Sequence, residues 1–419
     1  MTTLRVVFLV MLTVLAWLIV SQYLFCPQYC FKRGHPFAGQ LFYNPYQDIK
    51  DDCKWIKSNL HTHTRSWDGL TDGHGTAKEF REIYNSLNYG VLGFSNYQVI
   101  NNSLSSVPVY EHGYNLKKVH QLIVGGSRVT WLDYIFPQTR SNKQYLLRQM
   151  GTADNAIILA HPALRDAYSE EDLKFLSGYQ CIEMLNPAED SFSQWDAALS
   201  AGNAVFAVGD DDIHNINNPA RLAKNCTFLN LPDGINPAAI VAALKQGRGY
   251  AMKIGMLPGE GTEQRKERIK SKLPCLKYCR LEGDCLKVKF STVANRIQFS
   301  GDGGAILAMR RGLDSGTYKF KPGNSYVRAS AFFPDGTEIY LNPVFRTNGK
   351  IHTWSSSCSV NRSKSILFFL TGIFILFSWA GYMLKMLNLD FLKPQRLKKK
   401  LLLLSASGSP TSITLPKRE

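Results

Sequence analysis

The sequence predicts an α/β protein in which a barrel of alternating strands and helices is followed by a small antiparallel β-sandwich and flanked by two transmembrane helices. Three observations predict this fold class. Uncharged apolar stretches lie near both ends of the chain, strand-like and helix-like segments alternate between them, and short alternating strands begin near residue 285. The 419 residues leave room for two or three domains.

The composition is that of a folded protein and argues against a nucleic-acid-binding one. Hydrophobic residues make up 45% of the chain and charged residues 20%, which excludes a wholly disordered chain. The formal net charge is +16. Most of the excess positive charge lies in two local segments, residues 253–289 and 385–419, so we expect no nucleic-acid binding.

The first predicted element is an N-terminal membrane anchor within residues 1–26. Residues 6–25 carry no charge, and a helix of about 20 residues spans the ~30 Å hydrocarbon core of a bilayer. The alternative is a cleaved signal peptide, whose apolar region is normally only about 7–15 residues long and is followed by small residues. Tyr23, Leu24 and Phe25 stand at that place here, which favours a retained anchor.

A second transmembrane helix is predicted over residues 365–387, because residues 366–384 carry no charge. Basic side chains follow this uncharged run closely: Lys385, Lys393, Arg396, Lys398, Lys399 and Lys400. Positive residues beside a membrane helix are held on the cytoplasmic side. The prediction is therefore a two-pass membrane protein in contact with the lipid bilayer, with both termini cytoplasmic and the large domain outside the cytoplasm. The basic tail, residues 388–419, is predicted to be disordered.

The barrel is predicted over residues 50–255. Strand-like runs occupy residues 55–60, 90–94, 121–124, 156–160, 181–185, 204–208 and 227–231, and helix-like stretches occupy residues 76–87, 142–150, 170–176, 193–201 and 237–245. Such alternation fits an open doubly wound sheet or a closed barrel. Polar residues follow the strands repeatedly, as at His61, His161 and Asp210, and only a barrel gathers several strand ends at one mouth.

The remaining soluble segments carry no ligand cluster. Residues 256–284 are predicted to be a charged connector. Residues 285–350 contain short alternating segments separated by Gly, Pro, Asp and Asn, which predicts an antiparallel β-sandwich that packs against the barrel or presents substrate.

Candidate metal ligands recur at the predicted strand ends. His61 and His63 are two residues apart, so on an extended strand both imidazoles point to the same side. The other candidates are Asp68, Glu111, His120, His161, Asp212 and His214. Imidazoles and carboxylates bind divalent transition metals, and two ions sharing a carboxylate can activate water for a phosphoryl displacement. Each residue alone also fits a turn, a strand end or a solvated loop.

In their order along the chain, the motifs HTHT-x3-DG, Glu111, His120, His161-Pro162 and Asp212-x-His214 resemble the PHP (polymerase and histidinol phosphatase) family over roughly residues 54–230. The resemblance implies a distorted (β/α)7 barrel and a phosphoesterase using divalent transition metal ions, commonly zinc, manganese or iron. It also implies a ligand set by position. One ion would be held by His61, His63, Glu111 and Asp212, a second by Glu111, His120 and His161, and a third by Asp68 and His214.

One departure from the family pattern affects the third ion. The family usually has Thr-Asp-His after the second strand, whereas this chain has Ser95-Asn96-Tyr97. We therefore expect two ions, with His74 as a possible substitute ligand. Without a third ion the phosphate needs other cations, and Arg65 and Arg165 are the candidates.

The sequence thus predicts a membrane-anchored phosphoesterase that acts on a phosphorylated small molecule or envelope component outside the cytoplasm. In this interpretation Glu111, Asp212 and His214 are the catalytic residues, with Glu111 bridging the ions and His214 or a nearby acid moving protons. Two alternatives stay open. The same chemistry serves a metal-dependent hydrolase of a non-phosphate bond, and a barrel without catalysis would be a membrane-tethered binding module.

Overall fold

The computed structural model describes residues 3–51, 53–101, 104–349 and 354–386, and the predicted tail, residues 388–419, lies outside them. The chain forms a mixed α/β protein that divides into two compact units. One unit contains the chain up to Phe25 and from Ser363 onward, and the other comprises Cys26–Arg362. The boundaries between barrel, connector and sandwich stay predictions.

The helices of the described residues are α1 (Thr3–Tyr23), α2 (Ala77–Ser86), α3 (Arg140–Met150), α4 (Glu170–Leu173), α5 (Phe192–Ser200), α6 (Pro237–Gln246), α7 (Thr262–Ser271) and α8 (Arg362–Met386). The strands are β1 (Tyr29–Lys32), β2 (Leu41–Tyr43), β3 (Ile56–Asn59), β4 (Val91–Leu92), β5 (Val109–His112), β6 (His120–Val124), β7 (Ala156–Ala160), β8 (Cys181–Leu185), β9 (Phe206–Gly209), β10 (Asn225–Leu229), β11 (Gly249–Lys253), β12 (Leu276–Glu282), β13 (Cys285–Ser300), β14 (Ile306–Lys319), β15 (Tyr326–Phe332), β16 (Glu338–Leu341), β17 (Val344–Thr347) and β18 (Ser357–Val360).

Helices α1 and α8 are long and apolar enough to cross a membrane, by length and composition. The two helices pack against each other. The indole Nε1 of Trp379 donates a hydrogen bond to Thr13 Oγ1 at 3.0 Å, and the rings of Phe25 and Phe369 lie 5.1 Å apart. Gly372 permits this approach, because a Cβ there would lie 2.6 Å from the Phe25 ring. These features are consistent with the predicted membrane protein.

A five-stranded sheet with the order β5-β6-β7-β8-β9 carries the first half of the core. Strand β6 is antiparallel to both of its neighbours, β5 and β7, whereas β7, β8 and β9 are parallel. Every residue of β7 and β8 is buried, which explains why both strands are apolar in the sequence apart from Glu183 in β8.

A second sheet of eleven strands joins the N-terminal strands to the C-terminal ones. Its main path is β12-β13-β15-β16-β11-β10-β3-β4, with β14 on β13 and with β17 linking β15 to β2. The antiparallel strands predicted over residues 285–350 are present, but they do not form a separate sandwich. Strand β16 pairs with β11, as at Leu341 and Tyr250, and so satisfies backbone groups that would otherwise leave β11 as an exposed edge.

The predicted (β/α)7 barrel is not seen, because the strands form open sheets. The β5–β6–β7 meander and the β10–β11 pair are antiparallel and interrupt the parallel repeat that a (β/α) barrel needs. The two large sheets nevertheless meet where several strands end. Isolated β-bridges join Thr62 to Ile213 and Tyr97 to Glu111. The predicted gathering of strand ends therefore occurs without continuous strand pairing around a ring.

Candidate metal centre

The centre begins where β3 ends. His61 and His63 are both buried, and their rings lie 5.1 Å apart. The backbone holds this segment between the two sheets, because the His63 N–H donates to the Ile213 carbonyl at 2.9 Å. The Leu60 N–H donates to Asp210 Oδ1 at 2.6 Å. The residue spacing that predicted two imidazoles on one side is thus fixed by contacts on both flanks.

Four ligand-type atoms converge around the first of two groups. His61 Nε2 lies 3.5 Å from Glu111 Oε2 and 3.3 Å from Asp212 Oδ1. His63 Nε2 lies 3.2 Å from Glu111 Oε2 and 3.4 Å from Asp212 Oδ1. Among the described residues, both Nε2 atoms and Glu111 Oε2 are buried without a hydrogen-bond partner. Buried polar atoms are normally paired, so this donor set fits a bound transition metal ion.

The other carboxylate oxygen of Glu111 faces the second group. Glu111 Oε1 lies 2.7 Å from His120 Nδ1 and 3.2 Å from His161 Nε2. The antiparallel pairing of β5 with β6 brings Glu111 and His120 together, and His161 follows directly after β7. One carboxylate therefore faces two separate sets of imidazoles, an arrangement in which it can bridge two ions.

Burial and opposite charges set the protonation of this cluster. Burial alone would raise the pKa of Glu111, but His120 and His61 hold it well below its usual range. Asp212 behaves in the same way, since His61 and His63 overcome the effect of burial and lower its pKa. Burial lowers the pKa of His61, and the carboxylates of Asp212 and Glu183 more than offset it, so the net shift is well upward. The cluster thus holds ionised carboxylates against a His61 imidazole that favours its protonated form, whereas burial lowers the pKa of His120.

A buried carboxylate outside the two groups orients the His61 imidazole and holds the backbone of His161. Glu183 Oε1 lies 2.9 Å from His61 Nδ1, and Glu183 Oε2 accepts the His161 backbone N–H at 2.7 Å. A hydrogen bond from Nδ1 leaves the Nε2 lone pair of His61 facing the first group. Asn186 donates to Asp212 Oδ2 at 3.3 Å. Glu183 lies within β8 and Asn186 directly follows it, so this strand and its end orient side chains of the centre.

The three consecutive aspartates have three different roles. Asp212 faces the histidines, whereas Asp210 accepts the Leu60 N–H. Asp211 Oδ2 accepts the Tyr84 hydroxyl at 2.6 Å, and its two oxygens also accept backbone N–H groups from residues 223–225. Burial raises the pKa of Asp211 to about 6, although these hydrogen bonds lower it. Hydrogen-bond donors from Tyr84 and from the backbone thus compensate the Asp211 carboxylate.

His214 lies at the edge of the cluster and is half-buried. Its ring stacks on His63 at a centroid distance of 4.2 Å, and its Nε2 lies 3.3 Å from the Tyr97 hydroxyl and 3.5 Å from Asp72 Oδ1. Asp72 was missed in the sequence, where an acid in a Thr-Asp-Gly turn is an ordinary loop residue. It occupies the place beside His214 that the resemblance implied for Asp68.

Two predicted ligands of the third ion are not brought to the cluster. Asp68 is exposed on a short turn, with a φ of 51°. A left-handed conformation of this kind is typical of Asp in a turn. His74 is also exposed, and its contact with His214 is made by its backbone N–H, which donates to the His214 carbonyl at 2.6 Å.

Asn96 stands where the family usually has an aspartate, and the structure shows what this side chain does instead. Asn96 is buried, its Oδ1 accepts the Thr64 N–H at 2.8 Å, and its Nδ2 donates to Thr64 Oγ1 at 2.8 Å. Its amide is thereby occupied in holding the segment that carries His61 and His63. It is not available as a ligand in this arrangement.

The predicted phosphate-binding arginines lie outside the cavity beside the cluster. Arg65 and Arg165 are exposed, and Arg165 donates to the Leu116 carbonyl at 3.0 Å. The cavity has a volume of about 320 Å³, and two other cations line it, Lys118 and Arg221. Neither residue could be identified from the sequence, because a single basic residue in a loop looks the same whether or not it faces a site. The other residues that line this cavity include His120, His161, Asp212 and His214.

No protein-family model and no curated protein matches the chain. Among solved structures it is similar to a two-domain protein from Bacteroides vulgatus ATCC 8482, described as containing a predicted PHP-like metal-dependent phosphoesterase. The sequence identity is 13%, the TM-score is 0.38, and the match covers 73% of this chain and 100% of that chain. Likeness at this level supports no conclusion about activity. The family resemblance rests on the order of the motifs.

Proposed function

We propose that this protein is a metal-dependent phosphoesterase with a dinuclear centre. The position of the Glu111 carboxylate carries the proposal. Its Oε2 faces His61 and His63, and its Oε1 faces His120 and His161. Asp212 would complete the first ion's ligands. Bound divalent ions would supply Lewis-acid activation of water and neutralise charge on the phosphoryl group.

The chain's own residues would bind the substrate and move protons. Lys118 and Arg221 line the cavity and are suited to hold phosphate oxygens. Water adds to phosphorus, the bond from phosphorus to the alcohol oxygen breaks, and the products are the alcohol and inorganic phosphate. His214, at the cavity edge and beside Asp72, would give a proton from Nε2 to the departing alcohol oxygen, and the proton lost by the attacking water would restore the imidazolium.

The proposed setting is a membrane with the centre on the side away from the cytoplasm. It is supported by the basic residues that follow the second apolar helix, since such residues favour the cytoplasmic side. The substrate would then be a phosphorylated small molecule or an envelope component. Protease added to sealed right-side-out membranes should digest the large domain, and digestion only from the cytoplasmic side would reverse the topology.

The activity is tested with a generic aryl phosphate. Purified full-length protein in detergent, supplied in turn with zinc, manganese or iron, should release inorganic phosphate. His63→Ala should abolish the release, while the exposed His74→Ala should retain it. Metal binding by a folded protein that releases no phosphate with any ion would contradict the proposal. Cleavage of an anilide under the same conditions would instead favour a hydrolase of a non-phosphate bond, and failure to bind metal would favour a binding module.

A further inference from the structure

An apolar groove adjoins the cavity of the metal centre. It has a volume of about 480 Å³, and it shares Tyr97, Lys118 and His120 with that cavity. Its outer part is formed by the side chains of Trp67, Leu70, Tyr114 and Trp131. A substrate whose phosphate lies beside His120 therefore has this groove as a continuous path for its organic part.

The groove walls are apolar and open to solvent. Leu70 is 89% exposed and Trp131 is 61% exposed. Contact with water is unfavourable for large apolar side chains grouped at the surface. Such patches therefore mark binding sites more often than isolated exposed residues do. Direct continuity with the cavity makes the substrate the natural occupant.

The aromatic walls are held in place by hydrogen bonds. The Trp67 indole Nε1 donates to the Tyr97 carbonyl at 2.8 Å, which fixes Trp67 against the residue shared with the cavity. The Tyr114 N–H donates to Asp133 Oδ2 at 2.7 Å, and the Asp133 N–H donates to the Tyr114 hydroxyl at 3.2 Å. These contacts tie the loop that carries Trp131 to the opposite wall.

The geometry favours an aliphatic occupant over a planar one. The rings of Trp67 and Trp131 lie 5.9 Å apart at an interplanar angle of 73°. Rings set edge to face leave no parallel slot in which a base or an aryl ring could stack between them. Flexible methylene chains do not need such a slot, and they gain from burial against the indoles and Leu70.

We propose that the groove binds the alkyl chain of an amphipathic phosphate ester whose phosphate is held by Lys118 and Arg221. This inference rests on the proposed phosphoesterase function and names its substrate class. Lys118 stands at the junction, since it lines both spaces and its Nζ lies 5.9 Å from the centroid of the Tyr97 ring. A soluble alkyl phosphate and a membrane lipid phosphate share this chemistry.

The test is a chain-length series of alkyl phosphates, from methyl to octyl, below their micelle concentrations. The value of kcat/KM should rise by up to about fourfold for each added methylene group that the groove buries. Trp131→Ala should flatten this dependence. Leu313→Ala removes an exposed apolar side chain elsewhere, on β14, and should leave the dependence as it is. Phosphatidic acids then distinguish the two sources. Hydrolysis of a short-chain phosphatidic acid in detergent alone indicates a soluble substrate, whereas hydrolysis of a long-chain one in vesicles indicates a membrane lipid.

A binding measurement keeps the inference separate from catalysis. By calorimetry, octylphosphonate should bind the wild-type protein more tightly than methylphosphonate, and Trp131→Ala should remove most of that difference. Hydrolysis without any dependence on chain length would contradict alkyl binding in the groove but would leave the proposed phosphoesterase activity intact. Absence of hydrolysis would overturn the phosphoesterase, while the phosphonate difference would still support the groove. Tighter binding of phenylphosphonate than of octylphosphonate would contradict the proposal that the groove prefers an alkyl chain to an aromatic ring.

Discussion

At the scale of single residues, the chemistry of the centre depends on which side chains face one another across the ends of the strands. Asp72 illustrates this, since it reaches His214 although the motif pointed to Asp68. Burial and His63 lower the pKa of His214, and the carboxylates of Asp212 and Asp72 partly restore it. The protonation of His214 therefore depends on an acid that sequence motifs did not identify.

We predict that Asp72→Asn lowers the pKa of His214 further, because a negative charge that favours the imidazolium is removed. If His214 gives the proton in catalysis, the limb of the pH–rate profile that reports this group should move to lower pH. The pKa is measured by NMR titration of the histidine resonances, with kcat followed over the same pH range. Asp68→Asn is the matched control and should change neither, and an equal shift in both variants would contradict the assignment.

A second residue-scale prediction concerns protons released by metal binding. Facing carboxylates raise the pKa values of His61, His63 and His161 against the effect of burial, which favours the protonated imidazoles in the metal-free protein. Metal ligation requires neutral imidazoles. Zinc binding should therefore release protons near neutral pH, and the apparent affinity should rise with pH until the raised pKa values are passed. Calorimetry in two buffers of different ionisation enthalpy measures the release, and equal heats in both would contradict it.

Much of the centre could be predicted from sequence, and the reasons differ by residue. His61 and His63 were predicted because alternation along a strand is a local rule, and Glu111, His120 and His161 because their order resembles a family. Lys118 and Arg221 could not be predicted, since only the folding of distant loops brings them to the cavity. Asp72 was missed for a related reason, because a single acidic residue in a loop looks the same whether or not it faces a site.

At the scale of secondary-structure elements, the sequence predicted strands and helices better than it predicted their partners. The apolar runs at residues 156–160 and 181–185 coincide with β7 and β8. Periodicity reports which face of a strand is buried, but it does not report the neighbouring strand. The pairing of β16 with β11 and the antiparallel β5–β6 hairpin were therefore missed, and with them the open form of the sheets.

The contact between α5 and β15 gives the element-scale prediction. Arg328 donates to both oxygens of Asp196, at 3.1 and 2.8 Å, and the Tyr326 hydroxyl donates to Asp196 Oδ1 at 3.1 Å. Asp196→Ala leaves a buried guanidinium without its partner and should lower the free energy of unfolding by about 3–5 kcal/mol. Urea denaturation of the full-length protein in detergent measures the loss.

The matched control for Asp196 is an acid in an exposed ion pair. Glu263 lies 2.7 Å from Lys266 on the surface of α7. Exposed pairs contribute about 0–1 kcal/mol, so Glu263→Ala should have a small effect. Comparable losses for the two variants would show that the Asp196 contact does not hold α5 to the sheet.

At the scale of the whole molecule, the centre draws its ligands from strands β5 and β6 and from the segments that follow β3, β7 and β9, and these strands lie in both large sheets. An ion bound there would connect both sheets and would bind only the folded chain. At a metal concentration 100 times the dissociation constant, the folded state should gain about 2.7 kcal/mol. Added zinc or manganese should therefore raise the melting temperature and a chelator should lower it, and a melting temperature indifferent to both would contradict the site.

The central claim is that Glu111 joins two metal ions, and the metal content of the purified full-length protein tests it most directly. After loading and removal of free ions, elemental analysis should find two transition metal ions per wild-type chain. It should find a loss of both in Glu111→Gln, while Glu82→Gln, which changes an exposed glutamate on α2, should retain two. A wild-type chain that folds normally and retains no metal, or a Glu111→Gln variant that still holds two ions, would contradict the account.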